Sequence, residues 1–363
     1  MRYVDEFRDI KLIKRISGEL KKSAPSYPVN IMEVCGTHTQ SFLRFGLEEF
    51  IPSNLKLISG PGCPVCVTSQ GYIDNAVKLS RDKDNIILTF GDMLRVPGTD
   101  SSLEKERAGR GNVKVAYSPL DSLLYARGNP KTKIIFLAAG FETTAPTIAL
   151  SLIRAKEEKI NNLFFYSSLK LITPAMKELL KDKRLNLSGF LCPGHVSCVI
   201  GSSPYGFIPR EYGVWCCIAG FEPIDILEGL YFLILQAVKN KPRVQNQYAR
   251  VVAPRGNLKA KEAISKVFEV SAACWRGLGD IEKSGLNIKG RFSRFDALKE
   301  FSIKEQAPAV NKRIPRCRCA DILKGLISPQ ECPLFRKVCK PEHPVGPCMV
   351  SNEGACNAYY KYK

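Results

Sequence analysis

Short apolar runs recur along this chain. Each ends in a loop rich in Gly, Pro or Thr, and each loop leads into a stretch with helical spacing. The runs fall at 29–34, 55–58, 85–90, 113–117, 133–138, 163–167, 189–192 and 214–219. Strand, loop and helix in steady alternation predict an α/β fold, with parallel sheets covered by helices. In such sheets ligands bind outside the carboxyl ends of the strands. The loops that follow the runs are therefore the first places to look for chemistry.

The alternation suggests a division in chain order. Residues 1–28 read as an N-terminal amphipathic helix packing on another domain, with Val4, Phe7, Ile10, Ile13 and Ile16 at helical spacing and Pro25 and Pro28 ending it. Residues 29–129 form a first α/β domain, Gly128-Asn129-Pro130 a boundary, and residues 130–245 a second tandem domain facing the first across a cleft. Residues 246–363 form a Cys-rich C-terminal domain. The Gly-rich, charged stretch 104–111 reads as a mobile loop.

The loop Gly60-Pro61-Gly62-Cys63-Pro64-Val65-Cys66 lies between a strand and a helix pattern spanning 69–80. Thiols at a helix N-terminus are favoured as thiolates by the helix dipole and free N–H groups. Their chemistry is disulfide exchange or soft-metal binding. Cys35, in Cys35-Gly36-Thr37-His38-Thr39, stands at the exit of the first strand, with Thr37 or Thr39 placed to cap a helix over 40–49. His38 can accept a proton, donate a hydrogen bond or ligate a metal. Glu142 in Gly140-Phe141-Glu142-Thr143-Thr144 and His195 in Pro193-Gly194-His195-Val196-Ser197 occupy equivalent strand exits. Cys192, Cys198, Cys216, Cys217 and Cys274 have apolar neighbours and read as core.

No apolar run approaches the ~20 residues a membrane helix needs, and the charged N-terminus lacks the apolar stretch of a signal peptide. This predicts a cytoplasmic protein. In that reducing compartment fourteen cysteines point to metal or redox chemistry. The net charge of +19 is spread without a basic block or a basic–aromatic motif. It reads as a solvated surface, with no nucleic acid or membrane as partner. No loop matches a phosphate-binding P-loop.

Six cysteines (Cys317, Cys319, Cys332, Cys339, Cys348 and Cys356) lie beyond position 316, threaded by prolines. Four thiolates around an iron–sulfur cluster, with two left for redox work, suit this set, and zinc held by four cysteines competes. His343 in Pro341-Glu342-His343-Pro344 reads as structural. A basic zinc protein that binds nucleic acid, and a stand-alone iron–sulfur thiol–disulfide oxidoreductase, are the alternative functions.

Taken together, the motif around Cys35, the loop 60–66, the stretches 140–144 and 193–197, and the tail resemble the HypD family. The tail motifs are Cys332-Pro333-Leu334-Phe335, Pro344-Val345-Gly346-Pro347-Cys348-Met349-Val350-Ser351 and Glu353-Gly354-Ala355-Cys356. Members mature the active-site iron of nickel–iron hydrogenases. Gln40 departs from the family, which often has a second His there. The resemblance implies an assembly scaffold with redox-active thiols rather than a conventional turnover enzyme. A transient iron, bound through Cys35 and shared with the chaperone HypC, would receive cyanide from HypE and carbon monoxide. His38 and Glu142 would bond the cyanides or move protons. Cys63 and Cys66 would cycle between dithiol and disulfide. A 4Fe–4S cluster on Cys317, Cys332, Cys339 and Cys356 would feed them, with Cys319 and Cys348 as a second redox pair. The chain alone would be a monomer.

Overall fold

The computed structural model describes residues 5–109, 111–303 and 317–363. Two parallel sheets carry the fold. The first is five-stranded, in the order β2-β1-β7-β8-β9, with β1 Val29–Glu33, β2 Leu55–Ser59, β7 Gly189–Pro193, β8 Trp215–Ala219 and β9 Val244–Asn246. The second is four-stranded, in the order β4-β3-β5-β6, with β3 Asn85–Thr89, β4 Val113–Val115, β5 Lys133–Gly140 and β6 Leu163–Leu169. An antiparallel hairpin, β10 Phe268–Trp275 with β11 Gly279–Ile288, forms a separate two-stranded sheet that packs on the second. The α/β class is as the alternation predicts.

The division in chain order is corrected. β1 pairs with β7, Ile31 facing Gly189 across more than 150 positions of sequence. β3 pairs with β5 across the expected boundary at 128–130, Asn85 facing Lys133. Each sheet thus draws on both halves of the chain. Local pattern cannot reveal this, because a buried parallel strand is apolar on both faces and fits several neighbours.

The faces separate by the period of two that strands impose. In the first sheet Ile31, Leu191, Cys217 and Ala219 pack with Leu227, Leu230 and Ile234 of the helix Pro223–Lys239, and with Ile13 and Leu20 of α1 (Ile10–Ser23). Met32, Phe190, Cys192, Cys216 and Ile218 face the other way, into a core shared with Cys63, Cys66, Trp275 and the C-terminal cysteines. In the second sheet Ile86, Leu88, Phe136 and Phe165 pack with Phe268, Leu286 and Ile288 of the hairpin, while Ile87, Ile135, Leu137 and Tyr166 pack with α4 (Gln70–Ser80).

α1 is shorter than expected. Asp9 caps it, accepting from the N–H groups of Lys11 and Leu12, and Ile10 stays exposed while Ser17 and Leu20 are buried. Val4 lies outside the described residues. The stretch expected to be a mobile loop contains a helix, Leu103–Ala108, because Ser102 accepts from Lys105 N–H and Leu103 is buried.

Candidate functional site

Cys35 leaves β1 in extended conformation and is itself the N-cap of α2 (Gly36–Arg44). The expected cap by Thr37 or Thr39 is corrected. Thr37 Oγ1 donates instead to Glu353 Oε1 at 2.8 Å, and Thr39 Oγ1 to Glu33. α2 therefore begins four residues earlier than spacing suggests.

Two segments close on the Cys35 loop by backbone contact. Gly36 N–H donates to Gly62 O at 3.2 Å. A Cβ on Gly62 would overlap the backbone of Val34 and Cys35, and one on Gly36 would overlap the carbonyl of Glu353. Only glycine permits such an approach. The loop bearing Cys63 and the tail bearing Glu353 are thereby pressed against the Cys35 loop.

The surroundings of Cys35 are rich in carboxyls. Glu33 Oε2 accepts from Cys35 N–H at 3.2 Å. Burial pushes the Glu33 carboxyl up to about 8 and raises that of Glu353 as well. Burial, with the nearby Glu353 charge, pushes the Cys35 thiol up to about 12. At neutral pH this is a protonated thiol beside a largely protonated Glu33 carboxyl. A cation entering the pocket would deprotonate them.

His38 is fully buried. Its Nε2 faces Gly220 O at 2.9 Å and Ala219 O at 3.3 Å. Carbonyls only accept, so Nε2 carries the proton and Nδ1 a lone pair. Nδ1 has no partner among the described residues, and burial lowers the ring to about 4. His38 is a neutral base with a free acceptor. Its ring and that of the more exposed His195 both lie on Phe221, at 4.7 Å and 3.9 Å between centroids.

Glu142 stands elsewhere, on the second sheet. Its Oε1 accepts from Ile172 N–H at 3.0 Å, Oε2 is buried without a partner, and burial pushes the carboxyl up to about 7. Its neighbour Phe141 shares a core with Cys63 and Cys66.

Cys63 caps a single helical turn, α3 (Pro64–Val67), its sulfur accepting from Cys66 N–H at 3.4 Å. The expected thiolate at a helix N-terminus is corrected for Cys66. This sulfur is completely buried, and burial pushes the thiol well up. Cys66 lies against Cys348 and Pro347 O. Cys348 in turn meets Cys319, with sulfurs 2.6 Å apart. Cys317, Cys319, Cys332, Cys339, Cys348 and Cys356 line one small apolar cavity with Leu334, Phe335 and Met349. Among the described residues, no three His, Cys, Asp or Glu side chains already surround one ion position. The donor set, four thiols in an apolar cavity beyond the Cys319–Cys348 contact, fits a soft iron–sulfur group chemically.

The tail reaches both sheets. Ser351 Oγ donates to Asp92 Oδ2 at 2.6 Å, and Arg95 donates to Val350 O at 3.3 Å and Pro341 O at 3.2 Å. Asp92 and Arg95 follow β3, whereas Glu353 meets the loop after β1.

Sequence reasoning missed Glu33, Glu353 as a pocket wall, and Arg276. An acid inside an apolar strand was the signal for Glu33. Of the cysteines read as core, Cys192, Cys216 and Cys217 are fully buried, and Cys198 and Cys274 partly so. The sulfurs of Cys192 and Cys216 are 3.0 Å apart. No helix among the described residues is long and apolar enough to cross a membrane.

Comparison with known sequences adds a family. The profile HypD, described as the "Hydrogenase formation hypA family", matches residues 10–363. A "Hydrogenase maturation factor HypD" of Escherichia coli K12 is 42% identical over 370 residues, covering 100% of this chain and 98% of that protein. A protein of the same name from Azotobacter vinelandii is 42% identical over 370 residues, covering 100% and 97%. Another, from Cupriavidus necator, is 40% identical over 371 residues, with the same coverage.

Proposed function

We propose a function from one premise: the chain belongs to the HypD family of hydrogenase maturation factors. On this reading it is a cytoplasmic scaffold on which an iron ion, as cargo, acquires cyanide and carbon monoxide ligands. Cys35 anchors the iron, and a thiolate suits a low-spin ferrous ion bearing strong-field ligands. The small chaperone HypC shares the iron, and HypE donates cyanide.

The observation that carries the proposal is the direct packing of the Cys63 loop on the Cys35 loop, through Gly36 N–H to Gly62 O and the close approach of Gly62 to Cys35. An anchoring thiol and a dithiol able to exchange electron pairs thus share one wall. Glu33 and Glu353 release protons and become charged as the cation arrives, and take protons up again as it leaves. His38 offers Nδ1 as an acceptor for a proton released within the pocket.

Cys317, Cys332, Cys339 and Cys356 would hold a 4Fe–4S cluster. The contact between Cys319 and Cys348 supports leaving those two out of the ligand set. When bound, the cluster would supply single electrons to the sulfurs beside it. Cys319 and Cys348 form a thiol pair next to Cys66, and Cys66 and Cys63 form the pair next to Cys35.

The test is to produce the chain with HypC anaerobically and record infrared spectra together with iron and sulfide content. Cys35→Ala should lose the cyanide and carbon monoxide bands while retaining sulfide. Full-intensity bands in that variant would sink the proposal.

A further inference from the structure

We infer that Arg276 is the electrostatic partner of thiol–disulfide exchange at Cys66, a fixed positive charge that stabilises the negative charge developing on sulfur as electron pairs move. The inference rests on the redox reading of Cys63 and Cys66 given above.

Arg276 lies between the strands of the hairpin, directly after the buried Trp275. The end of α3 fixes it there. Arg276 N–H donates to Val67 O at 2.9 Å, and Nε donates to Thr68 O at 2.9 Å. These carbonyls belong to the two residues that follow Cys66. A β-bridge between Thr68 and Trp275 adds a further tie. The guanidinium is buried, and its Nη2 finds no hydrogen-bond partner among the described residues. A buried charge with an unused donor is costly unless something nearby becomes negative. The groups in electrostatic reach are the sulfurs of Cys319, Cys348 and Cys66, with the Asp74 carboxylate as the other acid. Cys66 itself faces Cys63, Cys348 and Cys319. Burial disfavours a thiolate at this place, and a guanidinium, which stays protonated at any physiological pH, counteracts that penalty.

The exchange balances within the chain. The thiolate of Cys348 attacks Cys66 Sγ of a Cys63–Cys66 disulfide. The sulfur–sulfur bond breaks, and Cys63 leaves with the electron pair. The Cys319 thiolate then attacks Cys348, and Cys66 leaves as a thiolate beside Arg276. The two protons given up by Cys319 and Cys348 end on Cys63 and Cys66. One disulfide is reduced, one dithiol is oxidised, and an added dithiol restores the latter.

The experiment uses the full chain, purified anaerobically with its iron and sulfide. Cys63 and Cys66 are oxidised with diamide, and the protein is mixed with dithiothreitol, quenched in acid and alkylated. The two thiols are then counted by peptide mass spectrometry. Arg276→Gln should slow their return at least tenfold at pH 7, the effect of roughly one pKa unit at the attacking or leaving sulfur. That deficit should narrow as rising pH supplies thiolate without help. Arg276→Lys keeps the charge and should stay within about threefold of the parent. It decides the matter alone if Arg276→Gln does not fold, because a tenfold loss in Arg276→Lys would mean that shape, not charge, is at work. Equal rates and equal pH profiles for the parent and Arg276→Gln would overturn the inference while leaving the redox reading intact. A parent protein with no reducible Cys63–Cys66 bond would instead remove the redox reading and the inference with it.

Discussion

The two parallel sheets solve the same topological problem and put different chemistry on it. In each, the strand order reverses at one strand, β1 in the first sheet and β3 in the second, with neighbours reached in opposite directions. The first sheet places a thiol, an imidazole and a buried acid at its reversal, pressed in by glycine backbone. The second places Asp92 after β3 and Glu142 after β5, with Asp92 engaged by the tail and Glu142 half-satisfied. Topology alone therefore selects where a site sits, and the residues at the exits decide what the site can do. The first exit gathers a thiol, a neutral imidazole and a buried acid. The second holds the tail and keeps one proton on a buried carboxyl near neutral pH.

Gly36→Ala should break the first sheet's exit most severely. Its Cβ meets the Glu353 carbonyl, a backbone atom that cannot swing away, so a loss of about 3 kcal/mol is expected in urea unfolding. Unchanged stability would mean that the tail does not press on this loop as described.

Glu142→Gln should sharpen the contrast in the second sheet through pH. The Glu142 carboxyl rises from 4.5 to about 7 on folding, so the native state holds its proton more tightly. Its contribution to stability is present below about 4.5 and fades as pH climbs through 7. Between pH 5 and pH 8 the parent should lose about 2 kcal/mol that Glu142→Gln does not. Denaturant midpoints in a pH series give the comparison, and parallel curves would contradict it.

The smallest effect is expected at Thr37→Val, which removes one hydrogen bond to Glu353 and costs about 1 kcal/mol. Ser351→Ala is its counterpart on the second sheet, through Asp92. Similar losses in calorimetry would show the tail holding both sheets alike, whereas a loss confined to Thr37→Val would place its grip on the first sheet.

Much of this was legible in the sequence, for identifiable reasons. Runs such as 85–90 and 133–138 are apolar enough to be strands buried on both faces, and the exits of β1, β2, β7 and β5 hold Cys35, Cys63, His195 and Glu142 as expected. The pairing of β1 with β7 was not legible, because nothing local to Ile31 names Gly189 as its partner. The hairpin escaped because Ser271-Ala272-Ala273 interrupts the strand pattern and the register shifts there. Thr37 looked like a cap because threonine usually is one. Its hydroxyl is engaged 316 residues away, and only the folded chain reveals that. Arg276 gave no signal at all, since a lone arginine is normally a surface residue.

That same distance has a consequence for biosynthesis. Glu353 is made 316 residues after Thr37, which at ribosomal speed is a delay of roughly 15–60 s. Throughout that interval the β1 exit exists without its lid, and Cys35 is a bare thiol on a growing polypeptide. The β7 strand that flanks β1 also arrives late, at residue 189. The pocket therefore closes only after translation has passed both points. A cation that reached Cys35 before then would meet one sulfur and an open solvent face, and one that reached it afterwards would meet a buried thiol.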